Sequence, residues 1–478
     1  MGIIKQVISA SILHLSCLNL GLMFGWPSST IILFMSEGTP LQRPMTSMEI
    51  SLFSSLGCIG ALVSNPVTGI LLDKLGRKKC AMILASIGTL SWCLITMSSY
   101  VEVVLVAVLI SGVCASMFLV VPVFVSEFSE ESIRGTLTSG AVVFNGLGIL
   151  ISYLLGGLVN YKTLLYVCLA VSAGGAALLL FVKESPTLLL KKGLEEEAKK
   201  SIAFYRNCSV HSKLVLQELD KIKRALQLCV QEPVSPEEEK LNAESFKNQE
   251  KESAQHLSIW QFFKKSQSTR RALLLAMCMM SATIFQGMII IQIYAKVLFT
   301  EAVPEEILSA TWCSVLLATT AVISGLIAAY LTDLAGRRML MISMSIASGT
   351  FCVMLGTQIH LHWGPSWITA PIIYLFCACF TCGAGTVPYV LLAELFLPEI
   401  KSVISMIVLE WTFLCSFVAL FIFKPLVEAL TLGPVFYIFA TICYITAIFS
   451  FFFLPETKGL PVDAIQLLLV KQKNRNIV

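Results

Sequence analysis

Twelve long apolar runs divide this chain, and each is long enough to form a helix that crosses a lipid bilayer. Such a helix needs roughly 20 mainly apolar residues. Six runs precede a charged stretch and six follow it: 7–34, 49–72, 80–98, 101–126, 136–159, 163–182, 272–299, 308–332, 339–359, 367–392, 402–423 and 432–454. The pattern predicts an all-α membrane protein with twelve transmembrane helices in two groups of six.

Charge is concentrated between the two groups. The whole chain is 56% hydrophobic and only 13% charged, and residues 183–271 alone contain 17 Lys/Arg and 13 Asp/Glu. So few charges elsewhere cannot cover a water-facing surface, which excludes a soluble enzyme. The charged linker separates a domain at 1–182 from one at 272–454, and a tail follows at 455–478. Opposite charges at helical spacing, such as Glu195 and Lys199, predict that the linker is partly helical.

Other kinds of site leave no pattern in the sequence. The 16 cysteines fall mostly in apolar runs, where they are typical of small buried side chains rather than of a metal site. No nucleophile–base pair or phosphate loop stands in a supporting context, so we expect neither an enzyme nor a cofactor. The net charge of +4 does not indicate a nucleic-acid partner, because phosphate binding needs a concentrated basic face.

Basic residues in the short loops predict the orientation of the chain. Cytoplasmic loops are richer in Lys and Arg, and one side of the predicted membrane domain has thirteen such residues against four on the other. Both termini and the linker are therefore expected in the cytoplasm, in a multi-pass protein of the plasma membrane. The richer side contains Lys5, Lys74, Arg77, Lys78, Lys79, Arg134, Arg337, Arg338, Lys401, Lys458, Lys471, Lys473 and Arg475, and the other contains Arg43, Lys162, Lys296 and Lys424.

The two halves repeat their charged loop motifs in the same order. The matches are Asp73…Arg77-Lys78 with Asp333…Arg337-Arg338, Glu127…Arg134 with Glu394…Lys401, and Glu184-Ser185 with Glu456-Thr457. Acids at helix C-terminal ends and bases at N-terminal ends are unfavourably placed in the helix dipole, so we expect them to find partners on other helices. The predicted members of this cytoplasmic ion-pair network are Asp73, Arg77, Glu127, Arg134, Asp333, Arg337, Arg338, Glu394 and Glu456.

Together with the segments 184–186 and 455–459, these loops resemble those of the sugar porter family of the major facilitator superfamily, and most of all the insect facilitated trehalose transporters. The resemblance covers essentially the whole chain. It implies two six-helix bundles, a central sugar site and alternating access. It also implies that the ion pairs lock the cytoplasmic side in the outward-open state and break as that side opens.

The chain departs from the family pattern where the sugar is usually bound. The family's Gln-Gln-x-Ser-Gly-x-Asn run in the seventh helix falls on 283–289, where one glycine is kept and one Gln is displaced. The family's Gln in the fifth helix falls on Val142, and Glu410 stands where Asn is usual. Every sugar hydroxyl that leaves water must be paired. The remaining candidates for substrate binding are Asn145, Gln286, Gln292, Tyr389 and Trp411, each of which helix packing would explain as well.

The sequence thus predicts a facilitative carrier of a sugar, trehalose or hexose, whose partners are that solute and the lipid bilayer. Proton-driven members of the family generally use an Asp in the first helix beside an Arg in the fourth. Here the run 7–34 has no acidic residue and Ala107 takes the Arg position, so we expect a uniporter. Glu410 is the exception, as a carboxyl inside an apolar run, and protonation or a hydrogen bond would explain it. Two alternatives stay open: a non-transporting sugar sensor, and a carrier of a less polar solute.

Overall fold

A computed structural model describes residues 2–228, 267–303, 308–396 and 398–458, together with residues 460 and 465. The middle of the charged linker and most of the tail at 455–478 lie outside these residues. Within the described chain, the predicted number of membrane-spanning helices is confirmed. The twelve spans are Ile3–Met35, Ser47–Lys74, Arg77–Met97, Val101–Phe128, Arg134–Leu158, Tyr161–Phe181, Ser268–Ile293, Ala310–Thr332, Arg337–Leu361, Ser366–Leu392, Val403–Leu430 and Leu432–Phe453.

The spans alternate in direction, so the odd-numbered ones begin, and the even-numbered ones end, on the side that carries residues 183–228. We call this the linker side and the opposite one the far side. Three spans are interrupted. The fourth is Val101–Gly112 and Met117–Phe128, the seventh is Gln267–Phe285, Met288–Ile293 and Ala295–Ala302, and the tenth is Thr369–Cys382 and Val387–Glu394. The break in the seventh span follows from Gly287, whose φ of +94° is left-handed and suits glycine.

Glycine allows the closest helix crossings in the first half. A Cβ atom added to Gly21 in the first span would lie 2.1 Å from a backbone oxygen of the fifth, and one added to Gly148 would lie 2.2 Å from a backbone oxygen of the first. Gly60 and Gly112 bring the second and fourth spans together in the same way, at 2.1 and 2.0 Å. Small residues let membrane helices approach this closely, and the contact then holds them by van der Waals packing.

The linker continues the first half as three short helices, Pro186–Lys191, Glu195–Arg206 and Lys213–Leu228. They are anchored to the first bundle. The Tyr205 ring stacks on Phe128 at 4.4 Å between centroids, and its hydroxyl donates to the Lys183 carbonyl at 2.6 Å. Burial raises the pKa of the Tyr205 phenol, so this donor keeps its proton. Gln6 in the first span accepts a hydrogen bond from the backbone N–H of Glu130 at 2.9 Å.

Candidate functional site

The short helices after the break in the seventh span join the two bundles on the far side. Tyr294 Oη lies 2.9 Å from Ser54 Oγ, and both side chains are buried. The backbone N–H of Lys296 donates to Ser28 Oγ at 3.0 Å, and the hydroxyl of Tyr153 donates to a main-chain carbonyl in the same segment. These contacts hold the second part of the seventh span against the first, second and fifth spans. We call these contacts the far seam, and the two further sets of contacts described next belong to it as well.

Two corners complete the far seam. Where the second and eleventh spans meet, Ser47 Oγ donates to Glu428 Oε1 at 2.5 Å. Where the fifth and eighth meet, a Cβ atom on Gly157 would lie 2.0 Å from the methyl group of Thr311, and one on Gly146 would lie 3.0 Å from a side chain of the eighth span. The bundles are therefore in close contact from the far side to about mid-span.

The same helix pairs separate on the linker side. A Cβ atom added to Gly69 in the second span, Gly135 in the fifth or Gly325 in the eighth would meet no atom within 4 Å. Val142, between the contact at Gly146 and the open position at Gly135, is 67% exposed. The bundles therefore enclose a cavity that is open on the linker side and closed by the far seam.

Both aromatic candidates are partly exposed and lie in the linker-side half of their spans. Trp411 in the eleventh span is 37% exposed, and its indole Nε1 donates to Ser281 Oγ of the seventh span at 2.7 Å. Tyr389 in the tenth span is 45% exposed and lies three residues before the span ends on the linker side. Ser281 was not predicted as a site residue, because a single serine in an apolar run does not form part of any recognisable motif.

The three polar candidates for substrate binding differ in their burial and in their position along the spans. Asn145 is half-buried in the fifth span, next to Gly146. Gln286 is fully buried, and neither polar atom of its side chain has a hydrogen-bond partner among the described residues. Gln292 lies beyond the helix break, where its main-chain carbonyl belongs to the far seam. The structure thus puts Trp411 and Tyr389 in the linker-side half of the membrane domain and the two glutamines nearer the far seam.

The predicted ion-pair residues of the first half do form a cluster. Arg77 is only 4% exposed and donates from Nε and Nη2 to the Glu127 carboxylate at 2.9 to 3.2 Å. Its Nη1 donates to Asp73 Oδ1 at 3.2 Å and to the Leu72 carbonyl at 3.0 Å. One guanidinium therefore ties the end of the second span to the end of the fourth.

The second half repeats this arrangement, as the sequence repeat predicted. Arg337 Nη2 donates to Glu394 Oε1 at 2.8 Å, and its Nη1 donates to the Thr332 carbonyl at 3.1 Å. The other oxygen of Glu394 accepts a hydrogen bond from Thr457 Oγ1 at 2.6 Å. The eighth and tenth spans and the start of the tail are joined by this group.

Two glutamates cap helices at equivalent positions in the two halves. Glu184 Oε1 accepts from the backbone N–H of Lys78 at 3.0 Å. Glu456 accepts from the backbone N–H groups of Arg337 at 2.9 Å and Arg338 at 3.1 Å. A carboxylate at a helix N-terminus satisfies free N–H groups and suits the helix dipole. Glu456 was predicted as a member of the network and Glu184 was not, although the repeat that pairs the two residues was the signal for it.

Two predicted members stand apart from these clusters. Arg134 is exposed and forms no ion pair within the described chain. Arg338 donates to the Phe451 carbonyl at 2.5 Å rather than to a carboxylate. The side chain of Asp333 lies outside the described residues.

The location of the ion pairs bears on one expectation drawn from the family resemblance. The resemblance implies that the pairs break as the linker side opens. Each pair joins spans of one bundle, so a movement of one bundle against the other does not by itself separate the partners, and the breakage stays a prediction.

Comparison with known proteins identifies the family. The profile described as "Sugar (and other) transporter" matches residues 21–469. The chain is 25% identical to "Facilitated trehalose transporter Tret1" of Bombyx mori, over 98% of this chain and 88% of that protein. It is 23% identical to the protein of the same name in Polypedilum vanderplanki, over 99% and 90%. Among solved structures, the inward-open xylose transporter XylE from E. coli superposes with a TM-score of 0.74 at 17% identity, over 97% of this chain and 99% of that one.

Proposed function

Because the chain belongs to the sugar (and other) transporter family, with the fold of the major facilitator superfamily, we propose that it is a facilitative sugar carrier, for trehalose or a hexose, that works by alternating access. One observation supports this most: the bundles part on the linker side, where Trp411 and Tyr389 are partly exposed, and are joined on the other side by the far seam. Aromatic faces suit sugar rings, and hydroxyl groups need polar partners such as Asn145.

The closed seam is built from contacts that are able to come apart. Its polar contacts join groups of different bundles through single hydrogen bonds, such as that of Ser54 with Tyr294, and the rest are packing contacts such as that of Gly157 with Thr311. A rocking movement would exchange these contacts for new ones on the linker side, and it would leave the clusters around Arg77 and Arg337 intact. Alternating access then needs only two rigid bundles and a seam of modest strength.

In this proposal the linker side faces the cytoplasm of a cell whose plasma membrane holds the carrier. The support is the excess of basic residues in the loops of that side. We expect an epitope tag inserted after Glu250 to be invisible to antibody on intact cells and visible after permeabilisation. A tag in the loop that contains Arg43 is the matched control and should show the opposite result. Surface labelling at Glu250 would reverse the orientation.

Transport itself is tested with purified protein in proteoliposomes. We expect saturable uptake of labelled trehalose or glucose that stops when internal and external concentrations are equal. An imposed proton gradient should not drive accumulation, because the first span lacks an acidic residue and Ala107 replaces the usual Arg. Accumulation above equilibrium that a protonophore abolishes would contradict uniport. No uptake of any sugar in a correctly folded sample would favour a sensor instead.

A further inference from the structure

A small pocket lies inside the first bundle, near the middle of its spans. It is bounded by residues of the first, third, fourth and sixth spans, and its lining includes the polar side chains of Ser16, Asn19 and Ser172. The space open to the centre of a water molecule is about 10 Å³. On this measure one water needs about 10–15 Å³, so the pocket has the size of a single water and is too small for a larger ligand.

Ser16 brings an unpaired hydroxyl group to the pocket. The residue is only 8% exposed, and its Oγ has no hydrogen-bond partner in the part of the chain that the structure describes. Serine in a membrane helix can donate to the carbonyl one turn earlier, as Ser314 does to Ala310 at 2.9 Å. Ser16 does not form this bond. A buried hydroxyl group without a partner is unfavourable at a depth that bulk water does not reach.

Two other groups at the pocket have hydrogen-bonding capacity to spare. Asn19 Oδ1 accepts from Trp92 Nε1 at 2.9 Å, which leaves the amide N–H groups of Asn19 as donors. The hydroxyl group of Thr89 donates its single proton to the Ala85 carbonyl at 3.0 Å. Ser172 is therefore the donor in its 3.0 Å contact with Thr89, and Ser172 Oγ remains able to accept.

These groups approach one another from different spans. A Cβ atom added to Gly88 of the third span would lie 3.0 Å from Asn19 Nδ2 and 3.8 Å from Ser172 Oγ. Ser16 lies three residues before Asn19, and residues at this spacing share a helix face. A donor, an acceptor and an unpaired hydroxyl group thus meet at one pocket.

We propose that the pocket binds one ordered water molecule, which accepts from Asn19 Nδ2, donates to Ser172 Oγ and shares a hydrogen bond with Ser16 Oγ. Three partners are typical of a buried water. This water joins the first span to the sixth, and the contacts of Trp92 and Thr89 extend the network to the third. It is part of the polar core that holds the first bundle together, whichever solute the protein carries.

Two adjacent glycines of the sixth span test whether the pocket is occupied. Gly175 lines it, and a Cβ atom added there would meet only Leu15 Cβ within 4 Å, at 3.6 Å. Gly175→Ala therefore places a methyl group at the pocket without a clash. Gly174→Ala is the matched control, because it gains the same helix propensity and its Cβ atom would have no neighbour within 4 Å.

Thermal unfolding of the full-length protein in detergent compares these two variants. If the methyl group of Gly175→Ala displaces a water, polar groups are left unpaired, and we expect a midpoint about 3 °C or more below that of Gly174→Ala. In an empty pocket the methyl group would fill a void and raise the midpoint instead. A midpoint for Gly175→Ala equal to or above that of Gly174→Ala would overturn the proposal.

A third substitution assigns the effect to the shared water. With Ser16→Ala, displacement of the water leaves one polar group fewer unpaired, so the loss caused by Gly175→Ala should shrink in a double-mutant cycle. Strictly additive effects would contradict the site. A density map of the wild type, at a resolution that shows ordered waters, decides the matter if a variant does not fold. We expect density for one water within hydrogen-bond distance of Ser16 Oγ and Asn19 Nδ2, and an empty pocket would overturn the proposal.

Discussion

Replacement of Gly60 by valine should prevent the first bundle from forming. A Cβ atom at this position would lie 2.1 Å from a backbone oxygen of the fourth span, and Gly112 faces it from that span. Backbone atoms cannot move aside as a flexible side chain can, so the two helices must separate and lose their packing. Overpacking of this kind costs about 3 kcal/mol or more when the backbone is the obstacle. We expect little monodisperse protein by fluorescence-detected size exclusion and no measurable transport.

The matched control lies in the same helix. Gly69→Val changes helix propensity by the same amount, but Gly69 has nothing within 4 Å. Its yield and elution profile should resemble those of wild type. Equal yields of the two valine variants would show that the second and fourth spans do not cross as closely as described.

Replacement of Arg77 by alanine should destabilise the protein more than any change of an exposed linker-side lysine. The substitution leaves the Glu127 carboxylate, whose side chain is 15% exposed, without its guanidinium partner. Removing one member of a largely buried pair costs about 3 kcal/mol, and the Asp73 contact adds little because that carboxylate is exposed. Thermal unfolding in detergent should shift down by several degrees. Lys79→Ala, two residues away and exposed, should behave as wild type.

A double variant tests whether the unpaired charge of Glu127 causes the loss of stability. Arg77→Ala with Glu127→Gln removes the uncompensated charge and should recover part of the lost stability, which a double-mutant cycle measures. Since the pair lies within one bundle, transport per folded molecule should change little. If Arg77→Ala keeps wild-type stability and loses transport, the cluster has a gating role rather than a structural one.

The architecture was predictable from the sequence, because its strongest pattern, the series of apolar runs, is local and follows from the length that a helix needs to cross a bilayer. Twelve apolar runs predicted the twelve spans, and the repeated charges predicted an ion-pair network at the helix ends, where Arg77 contacts Glu127 and Arg337 contacts Glu394. The conformation was not predictable, because it depends on the balance between the far seam and contacts of the bundles on the linker side rather than on any one motif. The expected breakage of the ion pairs stays a prediction.

The cavity was predictable only in part. Trp411 and Tyr389 stand out as aromatic residues at family positions, but the hydroxyl groups of Ser54, Tyr294 and Ser281 are ordinary residues in apolar runs. Only their three-dimensional neighbours show that the first two belong to the far seam and the third holds Trp411. Polar contacts between helices that are far apart in the sequence produce no periodic pattern in it.

Cross-linking of the far seam tests most directly whether this protein carries solute by opening and closing it. Ser47 and Glu428 are in contact across the bundles at the edge of the seam, and a short bis-methanethiosulfonate reagent, which forms a reducible disulfide with each thiol, would join Ser47→Cys to Glu428→Cys. Each single cysteine variant, treated in the same way, controls for the native cysteines. We predict that cross-linking stops sugar uptake into proteoliposomes and that a reductant restores it. Undiminished uptake through the cross-linked protein would contradict alternating access across this seam.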